Sequence, residues 1–297
     1  MRKFFSVFLS IFFISFFSTA QNSFFDKITL RKSFDSKGDR AEPASITLSK
    51  PQDAIASWAT NMAIGYEVLT GTKRILTLDP FVEFHKNTLI SKKQDNWHAG
   101  FALEWQTSKF EINSKRWSPI LIASTRYNAD NVKSNRIFQG SIYFTYLQKK
   151  KGTGFQRFYI PNYPVVLGKL LQFEYTPYIG IENENRLHSF NDSSKGNVYR
   201  FLGRITSQIT LFPANLQWRK RFEFFFDYQR RNDFKKTIRD IAEDRHLYFA
   251  TSFNYVFFIS PNEKKQAKIG FDYIKGEDPT ENFEKQSFYA ISLKVKL

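Results

Sequence analysis

Positions 97–106 read Trp97-His98-Ala99-Gly100-Phe101-Ala102-Leu103-Glu104-Trp105-Gln106. In an extended strand successive side chains point to opposite faces, so Trp97, Ala99, Phe101, Leu103 and Trp105 share one face. His98, Gly100, Ala102, Glu104 and Gln106 share the other. The same period of two sets Trp58, Thr60, Met62, Ile64, Tyr66 and Val68 against Ala59, Asn61, Ala63, Gly65 and Glu67. It recurs from Leu171 to Glu182, where Leu171, Phe173, Tyr175, Pro177, Ile179 and Ile181 oppose Gln172, Glu174, Thr176, Tyr178, Gly180 and Glu182. Stretches of about ten residues exceed the 5 to 6 of a soluble strand and match the roughly 9 to 11 that a membrane-crossing strand needs.

Working outward, the pattern predicts strands near 25–34, 57–69, 74–86, 97–109, 117–128, 136–148, 170–182, 198–211, 218–229, 246–259, 266–275 and 287–297. Short connectors (70–73, 110–116, 212–217, 260–265) alternate with mostly longer ones (35–56, 87–96, 129–135, 183–197, 230–245, 276–286). Membrane barrels have short periplasmic turns and long outer loops, which places both termini in the periplasm and requires an even strand number. That parity is why 25–34, with Ile28, Leu30 and Phe34 on one face, is read as the first strand. The connector Lys149 to Lys169 is long although it lies on the turn side.

The chain begins Met-Arg-Lys, continues through an apolar run from Phe4 to Phe17 and reaches Ser18 and Ala20 at the −3 and −1 positions of a cleavage site. This reads as a secretory signal peptide over 1–20, leaving a single domain over 21–297. There is no cysteine, so disulfides and thiolate metal sites are excluded and no lipid anchor can attach. Aromatic residues make up 18% of the chain, yet mean hydropathy is −0.43. No later segment approaches 18 consecutive apolar residues, so a membrane crossing would have to be made by strands.

At the C-terminus Tyr289, Ile291, Leu293, Val295 and Leu297 alternate with Ala290, Ser292, Lys294 and Lys296. This resembles the terminal strand signal of outer-membrane β-barrel proteins of Gram-negative bacteria, ending in Leu297 where many members carry Phe. The resemblance implies an all-β, antiparallel up-and-down transmembrane barrel of about 12 strands in the cell outer membrane, delivered by the barrel-assembly machinery. It implies a compartment and no activity. Trp97 and Trp105, eight residues apart on one face, would stand roughly 20 Å apart along the membrane normal, as two aromatic girdles do.

The formal net charge is +16, two less once Arg2 and Lys3 leave with the signal. In an outer membrane this favours lipopolysaccharide phosphates or anionic solutes over nucleic acid, through Lys86, Lys92 and Lys93 or Arg230, Arg231, Lys235 and Lys236 in the outer loops; ordinary solvated loop charge is the plain alternative. Lys149, Lys150 and Lys151 fall on the periplasmic side, where they solubilise. Candidate lumen-lining residues are Glu67, Glu83, Glu104, Glu174, Glu182, Glu223 and Asp227 with Arg200, Arg204, Arg219 and Arg221, joined by Asp79 and Arg126. They could line a narrow aqueous pore or cross-pair into a filling, since twelve strands lie between filled small barrels and wide porins. His85 and His98 become inward cross-strand neighbours if 86 pairs with 97, with Glu83 nearby; ordinary polar residues at the barrel mouth are the reading preferred over a metal site. Leu187-His188-Ser189-Phe190-Asn191 departs from the His-x-Ser-Asn-Gly motif of the outer-membrane phospholipases, because Ser189 adjoins His188 and no Gly follows Asn191. No phosphate loop, dinucleotide fingerprint or metalloprotease helix occurs. The expectation is therefore a non-enzymatic, cofactor-free narrow channel for small hydrophilic, anionic solutes included. A closed barrel serving as a structural or accessory subunit of an outer-membrane complex is the alternative, and a lipid-modifying enzyme comes third.

Overall fold

A computed structural model describes residues 27–35, 42–49, 57–70, 75–88, 93–106, 117–148, 154–188, 195–215, 218–238, 244–260, 265–279 and 283–297. Among these lie fifteen strands: β1 Ile28–Arg31, β2 Ala44–Ser49, β3 Ser57–Tyr66, β4 Leu69–Thr70, β5 Ile75–Asn87, β6 Gln94–Gln106, β7 Trp117–Asp130, β8 Asn135–Gln148, β9 Val165–Leu167, β10 Leu171–His188, β11 Gly196–Leu211, β12 Phe222–Lys236, β13 Arg245–Ile259, β14 Gln266–Asp278 and β15 Glu284–Lys296. Every pairing is antiparallel, and the sheet closes on itself because β15 pairs β2, β2 pairs β3 and β3 pairs β5. Twelve wall positions result, with β4 and β9 as short additions on β5 and β10. Closure removes every free edge, so backbone groups bond around the ring. We call the rim carrying Ile28 and Leu297 the near rim and the other the far rim.

The first wall position is shared by two short strands. Leu30 and Arg31 face Ile64 and Ala63 of β3, while Ser45 faces Asn61. On the other side Ala44 faces Val295, and Leu30 exchanges backbone bonds with Leu297. Arg31 and Ala44 therefore occupy consecutive places in the wall, and the in-out alternation carries across the join. Lys32 to Asp35 and Glu42 to Pro43 leave the wall between them, with Lys32 N–H donating to the Glu42 carbonyl across the neck at 2.7 Å. This corrects the sequence reading twice. The predicted strand 25–34 supplies only half a strand, and the predicted outer loop 35–56 contains the other half. Neither half alone has enough alternation to declare itself.

A second irregularity lies between β8 and β10. Their ladder runs from His188 opposite Arg136 to Ile179 opposite Phe144 and stops. Continued two steps it would set Pro177 opposite Tyr146, and Pro177 has no N–H to give. Asn162 fills the place: its Nδ2 donates to the Tyr146 carbonyl at 2.7 Å and its backbone N–H to the Tyr175 carbonyl at 2.7 Å. Asn162 takes a left-handed backbone (φ 56°) to do so, a conformation asparagine tolerates better than most residues. The long near-rim connector is thus a wedge, containing a short 3-10 helix at Gly154–Tyr159 and buried Ile160 and Asn162.

Other boundaries shift modestly. The predicted 97–109 is observed as Gln94–Gln106, and 218–229 as Phe222–Lys236. Trp218 consequently sits in the near-rim turn, and Arg230 and Arg231, expected in an outer loop, lie within β12. The expected signal peptide falls outside the described residues.

Candidate functional site

Inside the barrel, the alternation that exposes Trp97 and Phe101 on the outer wall buries a set of charged side chains. Arg204 grips Asp227 with two bonds of 2.9 and 2.7 Å, and Gln229 adds a third to that carboxylate at 2.8 Å. Arg231 Nε donates to both Glu182 oxygens at 3.0 and 2.8 Å, and Tyr143 donates to Glu182 at 2.7 Å. Arg200 bridges Glu184 and Asp233 at 2.6 and 2.9 Å. Charges this buried persist only when paired and hydrogen-bonded.

The excursion from the first strand docks on this network. Phe34, 1% exposed, stacks on Phe81 with ring centroids 4.6 Å apart, and the Arg31 guanidinium lies 3.5 Å over its other face. Gly65 makes the room, because a Cβ there would fall 2.2 Å from the Phe34 ring. Phe34 N–H donates to Glu83 Oε1 at 2.9 Å, and Asp35 pairs with Arg126 at 2.8 Å. Glu42 reaches Lys32 at 3.1 Å and Arg204 at 3.4 Å. Burial pushes the Glu42 carboxyl up, but Lys32 and Arg204 more than offset it and hold it at about 2. The segment is therefore a plug tied to opposite sides of the wall.

Glu83 is the fixed point of the plug. It is fully buried and accepts from His98 Nδ1 at 2.9 Å, with His85 Nε2 at 3.4 Å and Arg126 at 3.5 Å. The observed register sets Glu83 opposite His98 and His85 opposite Asn96, not 86 opposite 97, yet both imidazoles point inward, their rings 5.0 Å apart. Glu83, His85 and His98 offer three ligand atoms within 4.8 Å of one another, a spacing a metal ion could use. The Phe34 amide and the Arg126 cation already take the carboxylate, so the cluster reads as a lock between plug and wall.

From the far rim a second segment folds inward. Phe283, in a left-handed conformation (φ 62°), lies under Arg200 at 4.5 Å and Arg231 at 5.6 Å and packs on His246 at 4.6 Å. Together with the Asn162 wedge, these segments leave gaps of only about 30 Å³ each beside Tyr143, Arg200, Arg204 and Arg231. Along β13–β15, β2 and β3, and against Glu174, Thr210 and Glu223 on the near-rim halves of β10–β12, a cavity of about 310 Å³ remains, with Lys32, Glu42 and Pro43 of the plug forming part of its lining. It reaches from Lys220 and Lys296 at the near rim past Ser252 and Asp272 to Asn87 and Gln286 toward the far rim. Gln286 to Lys296 spans about 25 Å of barrel height, so the mean cross-section is about 12 Å², room for roughly ten waters in file. Three of its cations pair with lining carboxylates: Lys294 with Asp272 at 2.5 Å, Lys268 with Glu223 at 2.8 Å and Lys32 with Glu42 at 3.1 Å.

Of the predicted lining residues, Glu83, Glu174, Arg200, Arg204, Glu223 and Asp227 are buried inside, while Glu104 and Glu182 are half-buried. Glu67 follows β3 at the near rim, its N–H bonded to the Lys27 carbonyl. Arg219 is exposed in the near-rim turn, and Arg221 donates to the Val256 and Phe257 carbonyls at 3.0 and 2.9 Å, so neither meets the lumen charges. Their displacement follows from β12 starting four residues late. Sequence reasoning missed Arg231, Glu184, Asp233, Lys268 and the whole plug. For Arg231, continuing the odd-numbered row Glu223, Asp227, Gln229 would have found it. His188 ends β10, exposed, and Ser189 to Asn191 lie outside the described residues.

Fold and interior together define a closed, plugged antiparallel β-barrel. No family model and no curated protein matches the chain. Among solved structures it is similar to the transport unit of the autotransporter AIDA-I from Escherichia coli, at 10% identity over 95% of this chain and 93% of that one, with a TM-score of 0.46. It is also similar to LpxR from Salmonella typhimurium, at 8% identity over 86% and 99%, with a TM-score of 0.40.

Proposed function

We propose that this chain is an integral barrel of a Gram-negative outer membrane and works without chemistry as a narrow conduit for water, small ions and small hydrophilic solutes. The observation that carries this is the cavity running beside the plug through most of the barrel height. An outer wall of exposed Ile, Phe, Tyr and Trp around a polar interior supports the membrane setting. The near rim then faces the periplasm, and the C-terminal strand β15 presents the signal for the barrel-assembly machinery. Because Lys32, Lys268 and Lys294 each pair with a lining carboxylate, selection is by size more than by sign. Vesicles carrying the purified protein should admit glycine or urea and exclude a disaccharide; equal exclusion of all would refute conduction. That result would favour the second reading, a closed accessory subunit, which the three inward segments support.

A further inference from the structure

On the outer wall each of the adjacent strands β12 to β15 ends toward the far rim in a cation, and β12 and β14 share one order. Apolar residues give way to an aromatic ring and then to a cation: Phe226, Tyr228 and Arg230 in β12, and Phe271, Tyr273 and Lys275 in β14. In β15 Ile291 and Tyr289 precede Lys285, and in β13 Leu247 precedes Arg245. Tyr273 and Tyr289 stack across β14 and β15 at 4.7 Å, building the aromatic ledge beneath the cations. Arg230, Arg245 and Lys275 are exposed, and among the described residues none has a side-chain partner. Lys285, 70% exposed, lies 3.9 Å from Glu277. Elsewhere on the far rim Lys86 pairs with Asp95 at 3.5 Å, Arg136 with the Asp130 and Asn135 carbonyls, and Lys235 lies 5.8 Å over the Tyr199 ring.

The ladder fixes their spacing. Arg230 faces Leu247, so it is diagonal to Arg245; Lys275 faces Ser287, so it is diagonal to Lys285. Each diagonal is about 7–8 Å, and the two pairs lie about 12 Å apart across the sheet. Each pair can close on one phosphate, the arginines through their forked N–H groups. An aromatic ledge holding two anion clefts at the edge of an apolar wall fits the headgroup of a lipid.

We infer that the β12–β15 arc binds the two phosphates of a bisphosphorylated glycolipid of the outer leaflet, with lipopolysaccharide chemistry. This rests on the proposed orientation, with the far rim facing outward. Arg231, adjacent in sequence, takes no part, because it points inward to Glu182.

The test uses the full-length barrel in micelles, with lipid binding read by native mass spectrometry. Bisphosphorylated lipid A should bind, and its dephosphorylated form and phosphatidylglycerol should bind at least tenfold more weakly; equal binding of either would overturn the inference. The Arg230→Gln/Arg245→Gln/Lys275→Gln variant should lose about a hundredfold in affinity, and Arg230→Gln alone about fivefold, at roughly one interfacial cation's worth each. Lys86→Gln/Arg136→Gln should bind as wild type does. Unchanged binding in both arc variants, or displacement of the lipid by millimolar inorganic phosphate, would refute a lipid-phosphate site. Orientation is separable because the chain has no cysteine. Lys93→Cys should react with an impermeant maleimide on intact cells. Labelling only after lysis would overturn the orientation while leaving micelle binding as it is.

Discussion

Deleting residues 32–43 and joining Arg31 to Ala44 should leave the barrel folded and widen its lumen. The two ends are consecutive in the wall, so the fused ten-residue strand keeps both its register against β3 and its in-out alternation. The wall loses little: Arg204 keeps its two bonds to Asp227, and Arg126 keeps Gln139 at 2.7 Å and Glu83 at 3.5 Å. A strand residue fills about 4.8 × 10 × 3.3 Å, or roughly 160 Å³, so the six described plug residues vacate about 900 Å³. That exceeds the whole present cavity of about 310 Å³, so the open cross-section should at least double over the same height. Single-channel conductance at fixed salt should rise at least about twofold, with heat-modifiable migration on gels confirming a folded barrel. A folded deletion variant with wild-type conductance would refute the plug.

Four further outcomes follow from the same contacts. Glu83→Ala strands His98 Nδ1 and the Phe34 N–H inside the barrel and should lower unfolding stability in micelles by about 3 kcal/mol, read from the urea midpoint. Gly65→Ala puts a methyl group where the Phe34 ring lies and should cost about 1–3 kcal/mol while raising conductance through a displaced plug; an unchanged protein would refute the packing. Asn162→Ala orphans the Tyr146 carbonyl and should cost about 2 kcal/mol, part of which Pro177→Ala should restore by supplying the missing N–H. For pH, the folded Glu42 carboxyl sits at about 2, below its ordinary 4.5, so its stabilisation is complete above about 4.5 and fades as pH falls toward 2. Conductance should stay flat from pH 8 to 5 and rise only in stronger acid.

What the sequence revealed tracks what depends on neighbours along the chain. The Trp97–Gln106 alternation declares a strand because each residue's face is set by its two neighbours, and eleven of the twelve wall positions were legible this way. The first was not: Ile28–Arg31 and Ala44–Ser49 become one strand only through β3 and β15, and that joining is a long-range event. Inward Glu83, Arg200, Arg204 and Asp227 followed from parity alone. Their partners did not, since pairing Arg204 with Asp227 needs the β11–β12 register, in which Arg204 faces Gln229. Arg219 and Arg221 were misplaced because Trp218 suggested a strand start that the turn overrides.

The central claim, a barrel that conducts through one narrow path beside a tethered plug, is most directly tested by planar-bilayer recording of the purified wild-type protein. The account predicts discrete, small, weakly ion-selective steps whose size is insensitive to pH between 5 and 8. The absence of any step from a folded, inserted barrel would contradict it, as would a wide conductance equal to that of the variant lacking residues 32–43.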